Sequence, residues 1–138
     1  MIKVLIKREE NRFVSLEVKG HAKSAEQGKD LVCAGVSAVI TGGFNNLKNP
    51  DSFELELEEG YACAKAIKEV SSHDEIVLET IIISLKTIEE SYPQFIARLV
   101  IKIMTTSFLT MELKTIKQII IRFLISYKIP QLILHLMM

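Results

Sequence analysis

Two short runs in which apolar and polar residues alternate begin the chain and limit the folds open to it. Apolar residues occupy every second position from Ile2 to Lys7, and the same period of two returns from Arg12 to Lys19. A period of two is typical of a strand that is buried on one face. Because the polar turn Glu9-Glu10-Asn11 separates the runs, the sequence predicts an N-terminal β-hairpin with one face against a core.

A helix is predicted after this hairpin. Asp30 fits an N-cap, because its carboxylate can accept the free N–H groups of a first turn. From Leu31 to about Leu47 the apolar residues follow helical spacing. The pair Gly42-Gly43 weakens such a helix by about 1 kcal/mol per glycine relative to alanine. We therefore expect its second half to bend or to pack closely against a neighbour.

A second hairpin is predicted after the break at Asn49-Pro50-Asp51. From Phe53 to Glu58 apolar residues alternate with three glutamates, Glu54, Glu56 and Glu58. Glu59-Gly60 suits a two-residue turn, and Tyr61 to Ile67 forms the return strand. The glutamate row is interpreted as a solvated strand face, with a basic peptide as the alternative occupant.

A second helix and a fifth strand complete the predicted elements. Ser72 is the expected N-cap, with Glu75 three positions later completing a capping box. The helix runs to about Ser91, and Pro93 ends it. Its predicted buried residues are Ile76, Leu78, Ile81, Ile82, Leu85 and Ile88. The β-prone stretch from Phe95 to Met104 follows.

The predicted order ββαββαβ corresponds to an α+β fold, a two-layer sandwich of two helices against a mainly antiparallel sheet. Residues 1–104 form this domain, and residues 105–138 form an atypical apolar C-terminal extension. Arg122 and Lys128 interrupt the apolar runs of the extension, so it does not reach a membrane span of about 18 residues. An amphipathic helix that packs on the domain or on a partner is the expected structure.

Composition narrows the classes of partner and the compartment. The chain has 138 residues, which predicts one domain, and 17 Lys+Arg balance 17 Asp+Glu. A neutral chain is a poor candidate for binding free nucleic acid. The two cysteines form no disulfide framework and the N-terminus has no long apolar signal core, so a reducing cytoplasm is expected. The sequence has no Cys-x-x-Cys or His-x-x-x-His pair and no Gly-rich phosphate loop, so we expect no bound metal and no cofactor.

The chemistry is concentrated in His21 and Cys33, which flank a loop between the second strand and the first helix. If Asp30 is the N-cap, Cys33 lies in the first turn, where free N–H groups and the helix dipole favour a negative sulfur. His21 could then accept the thiol proton, giving a Cys–His dyad. The oxyanion donors could be first-turn amides or loop amides near Gly28. Three roles stay open for Asp30: it caps the helix, stabilises an imidazolium, or opposes the thiolate.

The segments Gly20-His21-Ala22 and Asp30-Leu31-Val32-Cys33-Ala34-Gly35-Val36-Ser37-Ala38, with Gly28 between them, closely resemble the ribosomal-processing cysteine protease family Prp, also known as YsxB-like proteins. Tyr92-Pro93-Gln94-Phe95 is similar to the family's junction between helix and last strand. The resemblance covers roughly residues 1–104. It implies that His21 and Cys33 are the catalytic pair. It also implies that Gly20, Gly28, Asp30 and Ser37 are supporting motif positions.

The resemblance implies a bacterial endopeptidase that removes an N-terminal extension from the twenty-seventh protein of the large ribosomal subunit. Its partner would be that N-terminal peptide. It also implies a homodimer and a mobile loop between His21 and Cys33 that shapes the substrate site. Chains of the family usually finish soon after the last strand, so the extension from Thr105 has no counterpart in this resemblance.

Two alternatives from other functional classes stay open. A non-catalytic ribosome-assembly factor could use the same fold to bind the peptide without cutting it. A thiol redox sensor could use Cys33 as the reactive thiol and Cys63 as the resolving one. Because a sensor needs no base, the defined spacing of His21 and Cys33 favours the protease. Taken alone, Cys63 is interpreted as a packing residue and His73 as a polar residue in the first turn of the second helix.

Overall fold

Five strands and two helices build the sandwich in a computed structural model that describes residues 1–104 and 106–126. In chain order the elements are β1 (Ile2–Glu9), β2 (Arg12–Lys19), α1 (Leu31–Asn45), β3 (Phe53–Glu58), β4 (Tyr61–Ala66), α2 (Ser72–Ser91) and β5 (Ile96–Ile103). A 3₁₀ turn over Pro50–Ser52 leads into β3. The predicted α+β class and the order ββαββαβ are confirmed.

The strands form a single mixed sheet in the order β3-β4-β2-β1-β5. Both hairpins and the β2–β4 pair are antiparallel, whereas β1 and β5 run parallel, with Ile2 opposite Ile96. The parallel pair follows from topology, because α2 carries the chain across one face before β5 returns in the direction of β1. The turn of the first hairpin uses positive φ at Glu10 (49°) and Asn11 (67°).

The core lies between one face of the sheet and both helices. Alternate strand residues and one side of each helix are buried there; the largest completely buried apolar side chains are Ile2, Val4, Ile6, Leu16, Leu78, Leu85 and Ile96. A side chain at Gly43 would collide with Ile81 of α2. The missing Cβ therefore permits the close approach of α1 and α2 that the glycine pair predicts.

The start of α2 differs from the prediction. Ser71, not Ser72, is the N-cap, and its side-chain oxygen accepts a hydrogen bond from the Asp74 amide at 3.2 Å. Glu75 does not close a capping box, because its carboxylate accepts the amide N–H of Phe13 instead (3.2 Å). The predicted core list for this helix is wrong at Ile76, and Ile88 is only partly buried. Ile76 is 68% exposed, and Val77 is buried in its place.

Asp74 ties the first turn of α2 to the segment that follows α1. Its side chain is completely buried, and its carboxylate accepts the amide N–H groups of Lys48 (2.8 Å) and Asn49 (3.0 Å). Burial raises the pKa of Asp74, but these hydrogen bonds outweigh burial and the net pKa is lowered. The carboxylate is therefore a structural anion that holds two backbone donors.

From Met104 onward the chain forms a second compact unit. Its described element is α3 (Thr106–Ser126), in which Leu113, Ile116, Ile120 and Phe123 recur at spacings of three and four. This spacing agrees with the predicted amphipathic helix. None of the helices in residues 1–104 and 106–126 is long and apolar enough to cross a membrane. Residue 105 and residues 127–138 of the predicted extension lie outside the described residues.

Candidate active site

The segment that follows β2 meets the start of α1 at Ala22 and Cys33. The amide N–H of Ala22 donates a hydrogen bond to Cys33 Sγ at 3.3 Å. Ala22 is buried, whereas its neighbour His21 is exposed. His21 and Cys33 line the same cavity. The fold therefore brings the two residues singled out by the sequence to one site, although most of the loop between β2 and α1 separates them in the sequence.

The hydrogen bonds of Asp30 confirm the N-cap role that the sequence predicts. One carboxylate oxygen accepts the amide N–H of Cys33 (3.0 Å) and the hydroxyl of Ser24 (2.5 Å), and the other accepts the amide N–H of Ser24 (2.9 Å). The Ser24 hydroxyl first and the Cys33 amide second hold the pKa of Asp30 well below its usual range, and the Cys33 thiol adds a smaller effect of the same sign. Asp30 therefore caps α1 and fastens the loop, and it makes no hydrogen bond with His21.

This cap also affects where negative charge can be stabilised. Because the Cys33 amide is already bound to Asp30, it is not a free donor for a developing oxyanion. The sequence-based candidates near Cys33 are thus reduced to the two preceding amides of the helix start, Leu31 and Val32, and to loop amides. Ser37, one helical turn after Cys33, also lines the cavity and is exposed.

The cavity has a volume of about 720 Å³ and lies between α1, the loop after β2 and the β3–β4 hairpin. Its apolar lining includes Ile2, Val18, Val36, Ile40, Leu57 and Ala62, and its charged lining consists of Lys23, Asp30, Glu58 and Glu59. A mainly apolar cleft of this size with a few polar groups is typical of a ligand site.

Gly28 allows the loop its course beside the cavity. Its φ of 86° lies in the left-handed region, and no atom stands within 4 Å of the place where a Cβ would be. Backbone conformation, not crowding, therefore requires glycine here. Gly20 differs from it, since its φ is 100° and a Cβ would also meet the carbonyl oxygen of Met1 at 2.8 Å.

Two site residues were missed by the sequence analysis. Ser24 was part of an unspecified polar loop, and no local signal pairs it with Asp30. Gly60 was assigned only to a turn, yet its backbone lies against the His21 imidazole. The Ser24–Asp30 pair depends on how the loop folds back on the start of α1, and the Gly60–His21 contact depends on how β2 pairs with β4, so the residue pattern around each position carries no indication of either.

Cys63 is separated from this site by the sheet. Its neighbours on β4, Ala62 and Ala64, are buried in the core beneath the helices. Side chains alternate along a strand, so Cys63 points to the opposite face. Burial raises the pKa of the Cys63 thiol and the carboxylates of Glu17 and Glu56 raise it further, with partial compensation from the Tyr61 hydroxyl.

The same contact with Cys63, together with burial, raises the pKa of Tyr61 to about 12. Neither Cys63 nor Tyr61 is poised to ionise at neutral pH. In residues 1–104 and 106–126, no group of three or more His, Cys, Asp or Glu side chains is arranged to hold a metal ion.

An α+β sandwich with a thiol in the first turn of a helix and an imidazole on the same cavity defines a class suited to cysteine-dependent hydrolysis. The family model described as cysteine protease Prp matches residues 1–97. The chain belongs to the Prp family of cysteine proteases, which are hydrolases.

Similar proteins and similar solved structures agree with the assignment to this family. The chain is 36% identical over 101 residues to the ribosomal processing cysteine protease Prp of Bacillus subtilis strain 168. The aligned region covers 67% of this chain and 90% of that protein. The crystal structure of the S. aureus ribosomal processing protease Prp with a covalently linked product peptide superposes with a TM-score of 0.67 at 30% identity, over 72% of this chain and 99% of that one. The S. aureus Prp structure with a substrate peptide gives a TM-score of 0.62 at 28% identity, over 72% and 99% of the two chains.

Proposed function

We propose that this protein is an endopeptidase that removes the N-terminal extension of the twenty-seventh protein of the large ribosomal subunit, using a dyad of Cys33 and His21. The observation that carries the proposal is the hydrogen bond from the Ala22 amide to Cys33 Sγ, which sets the residue beside His21 against the thiol. The relatives are named ribosomal processing proteases, and two of the solved structures hold a product or substrate peptide, which supports the substrate class.

The reaction would proceed through a thioester. His21 accepts the thiol proton as Cys33 Sγ bonds to the scissile carbonyl carbon, and an N–H donor stabilises the negative oxygen. When the oxygen re-forms the carbonyl, the C–N bond breaks, and His21 gives its proton to the leaving amine. Water, deprotonated by His21, then attacks the thioester. The C–S bond of the thioester breaks, which releases the new carboxylate and restores the thiol.

The cavity suits an extended peptide with at least one apolar side chain. Ile40 from α1 and Leu57 from β3 both offer apolar surface to the cavity that Cys33 lines. A cleft of about 720 Å³ is large enough for a few residues of a peptide but not for a folded domain. An N-terminal extension in an extended conformation would have the required form.

The decisive experiment incubates the protein with a synthetic peptide that spans the cleavage region of the ribosomal protein and follows the products by mass spectrometry. Cys33→Ala should abolish cleavage, and His21→Ala should reduce kcat by roughly 10²- to 10⁴-fold, the usual cost of a missing general base. The matched controls Cys63→Ala and His73→Ala should cleave like the wild type. Cleavage that persists in Cys33→Ala would refute the proposal.

The same peptide separates catalysis from binding. A non-catalytic assembly factor would bind the peptide and leave it intact, whereas the proposed protease should bind it in the Cys33→Ala variant and cut it in the wild type. We further propose that the protein acts in the cytoplasm as a homodimer. Sedimentation analysis of the full chain at several concentrations tests the dimer, and a monomer at every concentration would contradict it.

A further inference from the structure

We propose that Gly60, in the turn between β3 and β4, positions the His21 imidazole, an inference that rests on the proposed Cys–His dyad. A Cβ placed on Gly60 would lie 2.6 Å from Nε2 of His21 and 3.1 Å from its Cε1. The next closest ring atom, Cδ2, would be 3.4 Å away. The imidazole therefore occupies the volume that any side chain at position 60 would take.

Within residues 1–104 and 106–126, the His21 side chain has no hydrogen-bond or ion-pair partner. Asp30, the carboxylate in the same loop region, is committed to Ser24 and to the Cys33 amide. A catalytic base is commonly oriented by a third group. Because His21 is also exposed, we assign the orienting role to the Gly60 backbone, against which the ring lies.

The position of Gly60 is itself fixed relative to His21. Gly60 has a φ of 74°, which closes the two-residue turn, and its carbonyl accepts the Gly20 amide N–H at 2.9 Å. Gly20 immediately precedes His21, so one residue fixes both the backbone leading into His21 and the surface beneath its ring. Both Gly60 and His21 line the cavity that contains Cys33.

The test uses the full chain with Gly60→Ala and Gly60→Asn. Either Cβ should displace the ring and lower kcat for the peptide by roughly 10- to 100-fold, the cost of misplacing a catalytic group by about 1 Å, while KM changes by less than about threefold. The alkylation rate of Cys33 by iodoacetamide, read by mass spectrometry across pH, should shift in the same direction as in His21→Ala. Gly42→Ala, where a Cβ meets open space, is the control and should leave both readouts unchanged.

Two comparisons separate the contact from backbone strain. Asparagine tolerates the left-handed region better than alanine does, so it relieves strain while keeping the Cβ. Gly60→Asn should therefore fold even where Gly60→Ala does not, and should remain impaired. In a His21→Ala background, a substitution at Gly60 should lower the melting temperature as before but cause no further change in Cys33 alkylation or in residual cleavage.

The outcomes distinguish this inference from the proposed function. Wild-type kcat in Gly60→Asn, or an effect at Gly60 that adds fully to that of His21→Ala, would overturn the positioning role alone. If His21→Ala itself leaves alkylation and cleavage unchanged, the dyad fails and the role of Gly60 fails with it. The inference is supported if both Gly60 variants lower kcat in the wild-type background and cause no further loss in the His21→Ala background.

Discussion

The amide N–H of Ala22 points at the sulfur of Cys33, with 3.3 Å between nitrogen and sulfur. A backbone donor aimed at sulfur stabilises negative charge there without adding a titratable group. Ala22 lies three residues after the end of β2 and is buried, so this donor is held in the core at the start of the loop. The start of α1 and the segment that follows β2 thus act on the same atom.

Asp30 should matter to cleavage through position and not through charge on His21. Removing its carboxylate in Asp30→Ala frees the Cys33 amide and releases Ser24, so the thiol loses its fixed location. We expect kcat to fall by roughly 10- to 100-fold. Asp30→Asn keeps one acceptor oxygen, so its kcat should lie between those of Asp30→Ala and the wild type. A peptide-cleavage assay checks this, with Asp51→Asn, an exposed acid in the Pro50–Ser52 turn, as the control. Equal activity in Asp30→Ala and wild type would contradict the positioning role.

The loop from Ala22 to Lys29 is expected to be a lid whose motion is confined to its second half. Ser24 is fastened to Asp30 by two hydrogen bonds, whereas residues 25–29 are exposed and include the left-handed Gly28. Amides of residues 25–29 should exchange hydrogen quickly in the free protein and become protected when the peptide binds the Cys33→Ala variant. Hydrogen-exchange mass spectrometry measures this, and identical exchange with and without peptide would count against a lid.

How far the sequence predicted the structure depends on the range of the interaction concerned. The Asp30 cap and the Glu59-Gly60 turn follow from residues within a few positions of each other, and both predictions are confirmed. The adjacent serines Ser71 and Ser72 offer the same local chemistry, so the sequence could not decide which one caps α2. The contact of Gly60 with His21 required the pairing of β2 with β4, which no local pattern specifies.

Asp74 should dominate the acid sensitivity of the fold. Its pKa is lowered in the folded state, so its stabilising effect is present above the unfolded pKa of about 3.9 and is lost as the pH falls through the lower folded value. Asp74→Ala should cost about 2 kcal/mol at pH 7, because it leaves the Lys48 and Asn49 amides without their acceptor, and the cost should shrink below about pH 4. Urea unfolding at both pH values tests this.

Two serine variants serve as matched controls for that experiment. Ser71→Ala removes the cap oxygen and should cost about 1 kcal/mol, whereas exposed Ser72→Ala should stay within about 0.5 kcal/mol of the wild type. An Asp74→Ala penalty that is unchanged at low pH would show that packing, not the ionised carboxylate, accounts for its effect.

Oxidation should not produce a disulfide between the two cysteines. Cys33 packs in the helical layer and Cys63 points to the other face of the sheet, and a disulfide needs Cα atoms within about 7 Å. The raised pKa of Cys63 further lowers its thiolate fraction. After peroxide treatment, mass mapping should show no Cys33–Cys63 link, and Cys63→Ala should not alter the oxidant sensitivity of cleavage. A disulfide-linked Cys33–Cys63 peptide would contradict this prediction and favour the alternative function as a redox sensor.

The extension is expected to be dispensable for the chemistry. The family match ends at residue 97, and every group assigned to the site lies before it. A chain cut after Met104 keeps β5, whose parallel pairing with β1 runs from Ile2 to Glu9 and completes the sheet. Its kcat for the peptide should stay within about twofold of the full chain, since no contact to substrate is removed. The apolar stripe of α3 predicts that solubility or self-association changes instead.

Circular dichroism and sedimentation of the truncated chain establish that it is folded and report its assembly. A folded, soluble truncation that binds the peptide but no longer cleaves it would show that residues from Thr105 onward complete the active site, and the division into a catalytic domain and an extension would then be wrong.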